Sequence, residues 1–121
     1  MTATITLPWP PSTNNAYAVR NGRKVKTTEA RAYAREIVFH VSTKKAWRAL
    51  KNELRTVDRL KVSITAHYPD NRRRDLANLE KLVTDAIFTW LGVDDSQITD
   101  LRLTRGENKP DGALVYTVEA A

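Results

Sequence analysis

A single small α+β (mixed α/β) domain, with two main helices packed on a mixed sheet, is the fold class this sequence predicts. Three observations carry it. The chain has 121 residues, one domain's length, enough to bury roughly two thirds of its extended-chain surface in one core. Short segments of alternating apolar residues are interleaved with two longer segments of helical period. No repeat, low-complexity tract or linker divides them, so residues 1–121 are expected to form one domain.

Residues 5–9 are apolar, β-branched at their start and stopped by Pro10 and Pro11, a strand running into a fixed turn. Residues 12–27 are polar, with Asn14, Asn15, Arg20, Arg23, Lys24 and Lys26 around Asn21-Gly22, which suits a loop or a basic hairpin. Thr28 suits the start of a helix running to about Leu50, because Tyr33, Ile37 and Val41 recur every four residues. Arg31, Arg35, Lys44, Lys45, Arg48 and Lys51 occupy its other faces. Residues 60–68 read as a strand with Val62, Ile64 and Ala66 on one side. A second helix is expected from about Leu76 to Trp90, then strands over 98–103 and 114–118 separated by a Gly/Asn/Pro/Asp loop.

Composition narrows the function. With 41% hydrophobic and 28% charged residues the chain is neither disordered nor membrane-spanning. No apolar run approaches the ~20 residues of a membrane helix, and no signal-peptide pattern opens the chain. There is no cysteine, which removes disulfides, thiolate metal sites and cysteine nucleophiles and fits a cytoplasmic protein. Only His40 and His67 are present, so a histidine cluster is excluded. The net charge of +6 is uneven: residues 1–60 carry twelve basic and four acidic side chains, residues 61–121 eight and ten. A basic half suits a polyanion such as nucleic acid, although it also suits an ordinary solvated surface.

The chemistry concentrates at residues 69–81. Arg72, Arg73 and Arg74 precede Asp75, which opens the second helix. At ~100° per residue Leu76, Leu79, Val83, Ala86, Ile87 and Trp90 share an apolar face, while Asn78, Lys81 and Asp85 fall on a polar one with Asp75 at its edge. Asp94 and Asp95 follow in a short loop after Gly92. Phosphodiester hydrolysis at neutral pH favours carboxylates that hold a divalent cation and a positive charge for the developing oxyanion. Asp75, Asp95 and Lys81 supply that set if the fold brings the loop to the helix. Each also has a plainer use: Asp75 as an N-cap, Asp95 in loop solvation, Lys81 paired with Asp85.

In these motifs the chain resembles the RusA family of Holliday-junction resolvases of bacteria and their phages. The resemblance runs through Leu7-Pro8-Trp9-Pro10-Pro11-Ser12, Asn14-Asn15 and Tyr17, then Pro69-Asp70, the arginine run, Asp75-Leu76, Asn78-Leu79 and Lys81, and closes with Asp85-Ala86 and Asp94-Asp95-Ser96-Gln97-Ile98. It implies a homodimeric endonuclease, dependent on Mg²⁺ (or Mn²⁺) and no small-molecule cofactor, that cuts four-way branched DNA. It further implies metal ligands at Asp75 and Asp95 and a functional lysine at Lys81. Where the family pattern Asp-Leu-Asp-Asn has its second aspartate this chain has Ala77. Either a substitution has removed that ligand or the chain is a variant with fewer or other ligands, and a branched-DNA-binding protein that no longer cuts is the alternative function.

Within that reading Arg72, Arg73 and Arg74 are expected to hold the scissile phosphate, Arg23 and Lys24 to reach along a DNA arm, and Asn14 and Asn15 to contact DNA or simply form turns. Trp47 and Trp90 are candidates for a dimer surface or for the core.

Overall fold

The computed structural model describes residues 1–11, 17–74 and 76–121, with only the backbone at Tyr17, Lys24 and Asn78. The chain begins with strand β1 (Thr2–Leu7) and a hairpin of β2 (Tyr17–Arg20) and β3 (Arg23–Lys26). Helices α1 (Thr28–Ser42) and α2 (Lys45–Glu53) follow, then β4 (Leu60–His67), α3 (Leu76–Leu91), β5 (Ile98–Arg105) and β6 (Ala113–Ala120). The main sheet has the order β1-β6-β4-β5, with β4 and β5 parallel and the other neighbours antiparallel. This is the α+β class the sequence predicts.

Alternation decides which face of the sheet is covered. Ala3, Ile5 and Leu7 of β1, Leu60, Val62, Ile64 and Ala66 of β4, and Leu114, Tyr116 and Val118 of β6 are all buried against the helices. Between them stand polar or half-exposed residues on the open face. The hairpin turns at Asn21-Gly22 as expected, both residues having positive φ (52° and 75°), the geometry of a two-residue turn that matches strand twist.

Three expectations shift. The first strand is Thr2–Leu7 rather than 5–9, because threonines at 2, 4 and 6 extend the alternation and Pro8 ends it. The first predicted helix is two: Ser42 and Thr43 donate their hydroxyls to the carbonyls of Phe39 and His40, Thr43 ends α1, and Lys44 is extended (φ −96°, ψ 124°). The break lets α2 turn Trp47 and Leu50 onto the sheet. Trp47 is fully buried, so it is core and no dimer surface, whereas Trp90 is half-buried with Lys51 Nζ 4.8 Å above its ring. Finally, α3 buries more than one stripe: Leu82, Thr84, Phe88 and Leu91 are covered as well as Val83 and Ile87, because α3 lies against both α1 and the sheet.

Candidate active site

Helix α3 presents its exposed stripe at residues 77, 81 and 85, which follow one another at i, i+4 spacing. At its far end Gly92, with φ 76°, donates to the Phe88 carbonyl and turns the chain back, a glycine C-cap. Asp94 then caps the short turn Asp95–Gln97, accepting from Ser96 N while Gln97 Oε1 accepts from Asp94 N. The Gln97 amide donates to the Val57 carbonyl ahead of β4, which pins the loop. The loop thereby carries Asp95 to α3.

Lys81 lies between two carboxylates. Its Nζ donates to Asp85 Oδ1 at 3.1 Å and to Asp95 Oδ2 at 3.3 Å. The hydrogen bond to Asp85, then that to Asp95, raise the Lys81 pKa above the usual lysine value, so the group is an ammonium at neutral pH. Of the residues expected at the site, the structure brings together Lys81, Asp95 and Asp85. Asp94 is turned to capping instead. Asp75 lies outside the described residues, as do Asn14, Asn15 and the side chains of Asn78 and Lys24. Among the described residues no group of three acidic or histidine side chains is placed to hold a metal. Ala77 is exposed one turn before Lys81, so an aspartate there would point at the same cluster.

The three arginines are not equivalent. Arg74 binds Asp70 with two nitrogens, at 2.7 and 3.3 Å, and lies 5.5 Å from the rings of both Trp9 and Tyr68. Asp70 also accepts from the Arg72 backbone N–H at 2.9 Å. The Arg74 hydrogen bond, and then that of Arg72, hold the Asp70 carboxyl down to a pKa of about 2. Arg73 is exposed and has no ion pair among the described residues. With Tyr68, Arg74 and Leu76 it lines an open cleft of about 530 Å³ beside the start of α3. Arg23 is exposed at the hairpin turn.

Sequence reading missed Asp70, Trp9 and Tyr68 as the frame of this cleft. The signal was an aspartate four residues before Arg74, legible as a loop-bracing pair only once both are known to share a loop.

Among solved structures, a 2C-methyl-D-erythritol 2,4-cyclodiphosphate synthase from Plasmodium vivax aligns over 98% of this chain and 93% of that one, at 12% identity and a TM-score of 0.40, too low to establish a shared fold. Sequence similarity is much closer. The crossover junction endodeoxyribonuclease RusA of Escherichia coli strain K12 is 36% identical over 123 residues, covering 97% of this chain and 93% of that protein. The enzyme of the same name from Enterobacteria phage 82 is 35% identical over 120 residues, covering 94% and 91%. The family model for endodeoxyribonuclease RusA matches residues 8–115, a span that includes the arginine loop, α3 and Asp95. By both measures the chain belongs to the endodeoxyribonuclease RusA family.

Proposed function

We propose that this protein is a structure-selective endodeoxyribonuclease that resolves four-way (Holliday) junctions as a homodimer, in the cytoplasm of a bacterium or a phage-infected cell. The observation that carries this reading is the Asp85–Lys81–Asp95 cluster at α3, a helix whose start borders an arginine-lined cleft, in a chain of the RusA family. Arg73 and Arg72 are exposed for backbone phosphates, with Arg23 exposed at the hairpin turn; Lys24, next to it in sequence, would add its charge there. Arg74, braced by Asp70, keeps the cleft in shape and adds its charge.

Asp75, if the chain brings it to Asp95, would complete an all-oxygen donor set that suits a hard divalent cation such as Mg²⁺ or Mn²⁺. Held by Asp75 and Asp95, the ion would supply an activated water and neutralise charge on the phosphate. Lys81 keeps its proton, offsets the two carboxylates that would otherwise repel DNA, and directs positive charge toward the developing oxyanion.

Ala77 favours the second reading, a branched-DNA-binding protein on the same fold that no longer cuts. Cleavage of a labelled synthetic four-way junction in Mg²⁺ or Mn²⁺, beside Ala77→Asp, decides between them. Cutting by both forms supports the nuclease. Cutting by the aspartate form alone makes this chain the binding form of a resolvase site. If neither form cuts or binds the junction, both readings fail.

A further inference from the structure

Helices α1 and α3 pack against each other, and between them an open groove of about 300 Å³ adjoins the Lys81 cluster. Its apolar lining comes from Ala34 and Val38 of α1 and Ala86 of α3, with Thr89 beside them. The Thr89 hydroxyl donates to the Asp85 carbonyl at 2.7 Å, so its polar atom is already engaged. Charge gathers around this lining. Lys26 and Arg35 border the groove, and neither has an ion-pair partner among the described residues. Asp85 borders it too: its Oδ1 accepts from Lys81 Nζ at 3.1 Å, and no hydrogen bond occupies its Oδ2 among the described residues.

We propose that this groove receives an unpaired nucleobase from the centre of a four-way junction and so fixes which phosphodiester meets Lys81. The inference rests on the resolvase reading above and deepens it. An apolar lining beside unpaired cations fits a flat, weakly polar group carried on an anionic chain, which is the make-up of a nucleotide in a DNA strand. The volume, at the small end of ligand sites, takes one such group and not a duplex. A carboxylate only accepts, so Asp85 favours a base edge that donates, as an exocyclic amine does. The phosphates have a cationic path as well. Lys26 also lines a second cavity, of about 400 Å³, with Arg20 and Arg31 between the hairpin and α1.

Such a pocket makes the site selective for branched structure. Taking a base out of the stack costs least where it is already unpaired, and strands change partners at the centre of a four-way junction. Intact duplex would have to break a pair to fill the groove. Because Asp85 borders both the groove and Lys81, a seated base holds its own strand against the cluster.

Fluorescence of a synthetic four-way junction carrying 2-aminopurine, an analogue that keeps an exocyclic amine, tests this. The analogue is placed at each position around the crossover in turn, without divalent cation so that no strand is cut. It is dim when stacked and bright when unstacked, and no aromatic side chain is among the described residues that line the groove. At one position relative to the crossover, binding of the unaltered protein is expected to raise the emission by about threefold or more. Ala34→Leu combined with Thr89→Leu, which fills the groove, should abolish that rise while junction affinity by gel shift changes by less than about fivefold, with circular dichroism confirming the fold. Lys26→Ala combined with Arg35→Ala should lower the slope of log K against log salt by about 1–2. No rise on a bound junction, or a rise that survives the filling, overturns the base site and leaves the resolvase reading standing. A filling that instead lowers the protein's mass in light scattering assigns the groove to a second copy and likewise overturns it. Absence of any junction binding overturns both readings.

Discussion

Three charges meet around Lys81, and the balance among them depends on its ammonium. Replacing it in Lys81→Met leaves Asp85 and Asp95 facing each other without their counterion. If the cluster is catalytic, junction cleavage should fall by about 100-fold or more, the scale of losing one oxyanion-stabilising group, in single-turnover assays at saturating metal. Asp70 behaves differently because it is bound to cations that hold its pKa near 2. A carboxylate whose folded pKa lies below its unfolded value, about 3.9, contributes stability above that unfolded value and loses it as pH falls toward the folded one. Urea midpoints of the natural chain and Asp70→Asn should therefore differ at pH 5 and converge as the pH approaches 2. A gap that widens on acidification would refute the assignment.

The hairpin is the element with the most local rules. Asn21-Gly22 sets its turn, and the Gly22 φ of 75° is one that an L side chain adopts at a cost of roughly 1–2 kcal/mol. No heavy atom lies within 4 Å of where a Cβ would stand, so the cost of Gly22→Ala is conformational rather than steric. Hydrogen exchange at β2 and β3 should accelerate in this variant while amides of β4 and β6 keep their protection. Uniform acceleration across the sheet would show that the hairpin is not an independent unit. The break between α1 and α2 is the contrasting case. Its cause, hydroxyls of Ser42 and Thr43 binding the preceding carbonyls, is local, yet an apolar period continues through it and hides it.

At the scale of the whole molecule, a buried polar contact joins the helix and sheet layers between the Thr84 and Tyr116 hydroxyls, at 2.8 Å. Burial pushes the Tyr116 phenol well above its usual pKa, so it remains protonated and able to donate. Tyr116→Phe or Thr84→Val alone would strand the other hydroxyl in the core, at a cost of about 1–3 kcal/mol. The double variant should cost less than the sum of the two, as read from urea unfolding. Strict additivity would mean that each hydroxyl finds another partner.

The sequence alone determined the element order apart from the break within the first predicted helix, the buried faces of β4 and β6, the Asn21-Gly22 turn and the RusA-type pattern around Asp75 and Lys81. These follow from interactions between residues close in the chain: alternation, helical period and turn chemistry. Only the tertiary structure decided how the loop carries Asp95 to Lys81, that Arg74 is braced while Arg73 is open, and that Trp47 is core. Each of those outcomes depends on how a chain reversal or a helix break aims one side chain. Adjacent aspartates look alike in sequence, but a capping turn that ties one to Ser96 sends the other to a helix fourteen residues away.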